Sequence, residues 1–559
     1  MLLSNLDLLA TAPGGVAKLR ELILTLAVQG KLVPQDPADE PASMLLQKTR
    51  AEKDRLIAEG KIKRDKPLAA IGDEEKTFEL PPGWEWVRLA DVVRVLNGRA
   101  YSKQELLDAG PVPVLRVGNL FTSNHWYFSN LELEPEKYCN EGDLLYAWSA
   151  SFGPFIWEGP KAIYHYHIWK LEPWASNCFS IGYFHKFLTE KTAEIKAAGH
   201  GVSMVHMTKE KMEQIVVPYP PLAEQSRIVT RVESLMRLCD ALEAKGQLEA
   251  TQHAQLVSTL LGTLTASTTP EELSANWQRV AQHFDLLLDR PEAIDALEQT
   301  LLQLAVRGLL VPQDPTDEPA STLLQRIRTE KDRLIAEGKI KRDKPLPPIT
   351  DKEKPFELPK GWEWVRLGVV VNASEAGWSP SCIGSPRRPG HWGVLKVSAV
   401  SWGEFDASAN KELPSELAPK SEYEVKDGDF LLSRANTAEL VARSVVVGVA
   451  EPRLMLSDKI IRLAVSSQMN RAFLNMANNS SYAREHYTIN ASGTSSSMKN
   501  VSREVVLNLP VPLPPLAEQS RIVTRVTALR HLCADLRQRL AERQSVQARL
   551  AEALVQEVA

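Results

Sequence analysis

The chain has 559 residues, 44% hydrophobic and 24% charged, which suits three or four ordinary folded domains of about 100–200 residues each. No segment reaches the ~20 uncharged apolar residues of a membrane helix, and residues 1–12 lack the basic start and cleavage site of a secretion signal, so no membrane association and a cytoplasmic location are expected. The 66 basic and 70 acidic residues give a net charge of −4, which argues mildly against nucleic-acid binding, although a local basic groove suffices for it and a partner chain can supply phosphate contacts.

In chain order, residues 16–28 and 42–57 carry apolar residues at helical spacing, with Gly30 and Gly60 placed as C-terminal stops. GKIKRDKP at 60–67 is a basic connector, equally suited to DNA backbone, a partner or solvent. FELPPGWEWVRL at 78–89 leads into a long insert. There VPVLRVGNL (112–120) and AIYHYHIWKL (162–171) have strand character, and FHKFLTEKTAEIKAA (184–198) is helical. PPLAEQSRIVTRV at 220–232 opens another helix, with Pro221 and Glu224 suited to a helix N-terminus. Its apolar residues Ile228, Val232, Leu235, Cys239 and Leu242 follow the 4-3 spacing of a coiled-coil seam. Extended over 222–261, this helix would be about 60 Å long.

The same order then recurs. LAVQGKLVPQDP (26–37) returns as LAVRGLLVPQDP (304–315), EKDRLIAEGKIKRDKPL (52–68) returns unchanged at 330–346, and FELPPGWEWVRL returns as FELPKGWEWVRL (356–367). A second insert holds the strand-like RSVVVGVA (443–450) and IIRLAV (460–465), and a helical stretch at 469–487. PPLAEQSRIVTRV returns unchanged at 514–526, with a second seam of Ile522, Val526, Leu529, Cys533 and Leu536. The two inserts share only faint echoes, such as GDLL (142–145) and GDFLL (428–432). Near-identical frames around unlike inserts suggest one scaffold presenting two specificities. Duplication for stability alone is the plainer alternative, but solenoid repeats usually run ~20–50 residues. The 4-3 spacing predicts that the two helices pair as a spacer, and it also fits two amphipathic helices each packed on its own domain. The resulting division is an N-terminal helical block (1–83), a first domain (84–219), a spacer helix (220–263), a central helical region with the second block (264–361), a second domain (362–513) and a second spacer helix (514–559).

The doubled PLAEQSRIV (221–229 and 515–523), the doubled GWEWVRL (83–89 and 361–367) and the LVPQDP and EPAS segments carry a resemblance. Over essentially its whole length the chain resembles the specificity (S) subunit of Type I restriction-modification systems. The resemblance implies an α+β fold: two mixed α/β target-recognition domains separated by two long antiparallel coiled-coil helices, with an internal pseudo-twofold repeat. It implies that each domain reads one half of a bipartite site in double-stranded DNA. It also implies a complex with two methyltransferase subunits and two restriction/translocase subunits. Adenine N6 methylation with S-adenosylmethionine, and ATP- and magnesium-dependent translocation and cleavage, then belong to those partners, and this chain is not a catalyst.

The residues agree with a chain that carries no chemistry of its own. P-loop, Asn/Asp-Pro-Pro-Tyr/Phe, HEXXH and GxSxG motifs are absent. The five cysteines form no CxxC pair and read as reduced, mostly buried thiols. His165 and His167 share a strand face, but no nearby Cys or acidic group completes a metal site, and none is expected.

Candidate DNA contacts in the first insert are Arg99 and Tyr101, Arg116 and Asn119, Ser149 beside Trp148, His200 and Ser203 in a Gly-containing loop, and Lys209. In the second they are Arg434, Asn436 and Thr437, and the small-residue loop with Ser492, Thr494, Ser495, Lys499 and Asn500, with Arg387 and Arg388 as further candidates. Arg pairs well with guanine and Asn with adenine in the major groove, while small hydroxylated residues allow close approach to phosphates. A coiled-coil scaffold with two protein-binding domains is the alternative function, and an enzyme with an unrecognised site is a third.

Overall fold

The duplicated blocks fold as their spacing predicts. Helices Gly15–Val28 and Ala42–Ala58 recur as Pro291–Val306 and Ala320–Ala336. Gly30 and Gly308 follow the first helix of each pair at φ 70° and 72°, the left-handed region that favours glycine. A Cβ on Gly30 would also collide with Pro81 and Trp84, and one on Gly308 with Pro359 and Trp362. This close approach accounts for both copies keeping the glycine.

The computed structural model describes residues 6–64, 67–149, 152–198, 207–342, 344–401, 403–493 and 498–558. The chain forms two compact units, Met1–Glu249 with Arg543–Ala559, and Ala250–Glu542.

In the first unit, strands Val93–Asn97, Ile168–Pro173, Leu144–Ala147 and Gly153–Ile156 make an antiparallel sheet in that order. A second sheet runs Tyr127–Ser129, Val112–Leu115, Ala162–Tyr164, Tyr138–Cys139, with one parallel pair. Glu85–Arg88 pairs with Val216–Tyr219, so the start and the end of the insert meet. The second unit repeats this plan. Its four-stranded sheet runs Val371–Ala376, Ile460–Val465, Phe430–Ser433, Ser444–Val446, and its three-stranded sheet Asn410–Glu412, Gly393–Leu395, Leu454–Met455, while Glu363–Arg366 pairs with Pro510–Leu513.

Four stretches differ from the sequence reading. Residues 112–120 leave the strand at Leu115 and turn into the short helix Val117–Phe121, because Asn119 Oδ1 accepts the Arg116 N–H at 3.1 Å. Residues 162–171 are two strands in different sheets, joined by a turn at 165–167. Only Ser444–Val446 of 443–450 is strand. The 469–487 stretch is two helices, Arg471–Asn479 and Ser481–Asn490, interrupted at Ser480, whose hydroxyl donates to the Ala477 carbonyl at 2.7 Å.

The long helices are Leu222–Ala266 and Leu516–Val558. Ile228, Val232 and Cys239 are buried in the first unit's core with Leu19, Ile23 and Ala27, and Leu235 and Leu242 pack against that core. Ala551 and Val555, from the trailing end of the other long helix, belong to the same core. In the second unit Ile522 and Val526 share a core with Leu302 and Ala305. Cys533 and Leu540 share another with Leu297 and Leu301 and with Val257 and Leu261 from the trailing end of the first long helix, and Leu529 and Leu536 pack against it. Within each unit the leading half of one long helix therefore packs against the trailing end of the other, as the spacing predicts, and the unit's own repeat helix covers the rest of the seam. A 4-3 pattern records only a buried stripe, and any apolar helix can cover one.

The three repeated motifs meet at one joint in each unit. Trp84 Nε1 donates to Glu224 Oε2 at 2.9 Å, and Gln35 Nε2 donates to Glu224 Oε1 at 3.1 Å and to the Gly30 carbonyl at 2.7 Å. Arg227 pairs with Asp39 at 2.6 Å. The second copy repeats the set with Trp362, Glu518, Gln313 and the Arg521–Asp317 pair. Gln225 accepts the Ser180 N–H, and Gln519 the Asn470 N–H, which fixes the helix behind each domain.

The strand Glu363–Arg366 is braced by the buried Arg366, which holds Glu353 with both terminal nitrogens, at 2.8 and 3.0 Å. This bidentate bond holds the Glu353 carboxyl down to about 2. A depressed folded-state pKa stabilises above the ordinary carboxylate value, and the benefit is lost as pH falls through the folded value. Glu353→Gln should therefore lose less stability than the parent when thermal unfolding is followed from about pH 5 down to about 2. Equal acid sensitivity in the two proteins would contradict this.

Candidate nucleic-acid interface

In the first domain the turn between the two sheets gathers three candidate segments. Arg99 N–H donates to the Tyr164 carbonyl at 3.1 Å, and Tyr166 N–H returns a bond to the Arg99 carbonyl at 3.0 Å. His165 N–H donates to the Leu115 carbonyl at 2.9 Å, which brings in Arg116 and Asn119. Trp148 N–H donates to the His167 carbonyl at 3.1 Å, and its indole Nε1 to the Tyr166 carbonyl at 2.9 Å, which places half-buried Ser149 beside them. Arg116, Asn119, Ser123, His125, His165 and His167 line a hollow of about 280 Å³. Burial, with the charges of His167 and Arg116 adding to it, pushes the His165 imidazole down to about 4, so it is neutral near pH 7. Its sequence neighbour Tyr166 is exposed.

These residues differ in how free they are. Arg116 is exposed and its guanidinium lies over the Tyr127 ring, whereas Arg99 is paired with Glu105 at 2.6 Å. Tyr101 packs into a small core and points its hydroxyl at the Tyr164 carbonyl. The Asn119 amide donates to the His125 carbonyl at 2.7 Å. Lys209 starts the short helix Lys209–Glu213 and pairs with Glu213 at 3.4 Å, outside this gathering. His200 and Ser203 lie outside the described residues.

In the second domain the structure joins the two segments that the sequence singled out. Ala435–Asn436 pairs with Lys499–Asn500, and Asn500 also bridges Ser492. Val501 N–H donates to the Arg434 carbonyl at 3.0 Å, and Arg434 N–H to the Lys459 carbonyl at 2.7 Å. Arg434 is exposed. Asn436 is held inside the protein: its Nδ2 donates to Ser401 Oγ at 2.9 Å and its Oδ1 accepts the Thr437 N–H at 2.9 Å. Lys499 Nζ donates to the Gly493 carbonyl at 2.7 Å, and Ser492 Oγ to the Asn500 carbonyl at 3.3 Å. Thr494 and Ser495 lie outside the described residues.

Arg387 and Arg388 are braces. Arg387 pairs with Glu451 at 2.7 Å, and Arg388 pairs with the buried Glu412 at 2.6 Å. Sequence reasoning missed the turns at 165–167 and 457–459 as the hubs of the two edges. The only signal for the first was the run of four alternating Tyr and His residues at 164–167.

Two stretches, 81–252 and 359–543, match the family described as the Type I restriction modification DNA specificity domain. Each stretch covers one two-sheet domain and runs on into the long helix that follows it, with the Trp–Glu joint inside it. The chain belongs to this family. As a member of it, the chain carries two DNA-recognition domains on an α+β fold with long helices.

The chain is 40% identical over 554 residues to the Type I restriction enzyme EcoEI specificity subunit of Escherichia coli, covering 97% of this chain and 93% of that one. It is 36% identical over 570 residues to the EcoAI specificity subunit of Escherichia coli, with the same coverage. A crystal structure of the HsdS subunit from Thermoanaerobacter tengcongensis aligns over 87% of this chain and 98% of that one, at 19% identity and a TM-score of 0.37. Among the described residues no helix is long and apolar enough to cross a membrane.

Proposed function

We propose that this chain is the cytoplasmic, non-catalytic DNA-reading subunit of a Type I restriction-modification complex, and that each recognition domain reads one half of a bipartite site. The observation that carries this reading is the pairing of 435–436 with 499–500, which sets two loop segments of unlike sequence on one edge with Arg434 exposed. The matching edge of the first domain offers Arg116, Trp148 and Tyr166 instead, so the two half-sites differ. Two methyltransferase and two restriction/translocase subunits complete the complex. They use S-adenosylmethionine for adenine N6 methylation, and ATP with magnesium for translocation and cleavage.

The test is selection of duplexes from a randomised pool by the full chain with its methyltransferase partner. Enrichment of two unlike half-sites with an unread spacer of fixed length is expected. Absence of any enriched sequence would overturn the reading in favour of a protein-binding scaffold. The chain alone, given labelled S-adenosylmethionine and the enriched duplex, should transfer no methyl group, and reproducible transfer would refute the non-catalytic role.

A further inference from the structure

Arg434 and Arg443 stand at the two ends of the connection between strands Phe430–Ser433 and Ser444–Val446. The ends are tied together: Ser433 N–H donates to the Arg443 carbonyl at 2.9 Å, and Ala442 N–H to the Ser433 carbonyl at 2.8 Å. The backbone at the two arginines is thus held together at the end of the sheet. Neither side chain has a hydrogen bond or ion pair among the described residues, and Arg443 Nε is buried without a partner. Behind them Arg484 donates to the Val441, Ala442 and Asn478 carbonyls, and among the described residues it has no carboxylate partner and its Nε is also unsatisfied.

Carboxylates act on both arginines without bonding to them: Glu439, in the same connection, acts on Arg443, and Asp458, engaged by Ser379 at 2.5 Å and by Lys459 at 3.2 Å, acts on Arg434. Burial first, and then the like charge of Arg443, lowers the Arg484 pKa to about 10, with Tyr487 opposing. Ala442 holds φ 59°, a left-handed conformation unusual for alanine, and Arg484 grips the carbonyls of Ala442 and its neighbour Val441. A partly buried guanidinium with no carboxylate bonded to it is costly, and an incoming anion removes that cost.

Among the described residues the first domain lacks this cluster. Trp148 N–H donates to His167 as Arg434 N–H donates to Lys459, and Ala147 pairs with Gly153 where Ser433 bonds to Arg443. Tryptophan and glycine therefore occupy the places of the two arginines.

We propose that Arg443, backed by Arg484, binds a phosphodiester of the DNA backbone in the half-site taken by the second domain. The proposal rests on the reading of that domain as DNA-binding. A guanidinium presents a planar fork of donors that matches two phosphate oxygens. Arg443 is half-buried at the base of the connection, which suits a backbone contact, and it leaves exposed Arg434 to reach a base edge.

The test uses the full chain with its methyltransferase partner and the duplex enriched by the parent protein. Arg443→Gln should reduce the slope of log K against log salt by about 0.9, the value of one phosphate contact, and leave the ranking of related duplexes unchanged. Arg443→Lys should keep most of the slope. Glu439→Gln should tighten binding to all duplexes alike, and it decides the matter where Arg443→Gln melts early. A parental slope in Arg443→Gln would overturn the proposal, as would an altered ranking of duplexes, while parental sequence preference would leave the DNA-reading role standing. A parent without any sequence preference would remove that role and this proposal with it.

Discussion

Glu224→Ala should destabilise the first unit by about 3 kcal/mol, a large part of the stability of an ordinary domain. The carboxylate is buried, and it accepts the Trp84 indole N–H and the Gln35 amide. Removing it leaves the buried Trp84 indole N–H without its acceptor, while exposed Gln35 keeps its bond to the Gly30 carbonyl. Burial pushes the Glu224 carboxyl up while these two bonds pull it down, so the site tolerates the charge only because its donors are in place. Glu518→Ala should do the same to the second unit, through Trp362 and Gln313. Denaturant unfolding of both variants, followed by tryptophan fluorescence, measures the effect. A change below about 0.5 kcal/mol in both would show that the joint is not a net stabiliser.

Arg434→Ala should cost roughly 1–3 kcal/mol of DNA-binding free energy and relax the preference at one base-pair position in the second half-site. The side chain is exposed, and its backbone is fixed from both sides, by Lys459 and by Val501. A reader must be held in place yet have its donors free, and among the candidates of this domain Arg434 meets both conditions. Asn436 does not, because its amide is already used by Ser401 and Thr437. Competition binding with single-base variants of the enriched duplex separates the cases. Uniform weakening across all duplexes would move Arg434 from base reading to phosphate contact, and unchanged binding would remove it from the interface.

The candidate edge of the second domain was readable as two separate segments. Arg434–Thr437 and the Ser492–Asn500 loop stood out because Arg, Asn and small hydroxylated residues suit DNA, but nothing in the spacing said that they pair. Arg387 and Arg388 show the opposite case. Two adjacent arginines in a Pro/Gly-rich loop resemble a basic patch until their carboxylate partners, 24 and 64 residues away in the chain, are seen. Ion pairing between distant residues leaves no local trace.

By itself the sequence determined the duplicated frame, the helices of each block and the long helices after PPLAEQSRIV, because helical periodicity and glycine stops are local properties. It also determined the family, through motifs whose residues turn out to form the Trp–Glu joint. The tertiary structure decided the rest. It showed that two unlike inserts share one two-sheet plan, since strands of two to six residues in different sheets carry too little pattern to be ordered from sequence. It showed that the 162–171 run bends at His165–His167 to join those sheets, and that each helical seam is covered by its unit's own repeat helix and the far end of the other long helix. An apolar stripe specifies that it is buried, whereas the partner that buries it is set by shape and connectivity over the whole chain.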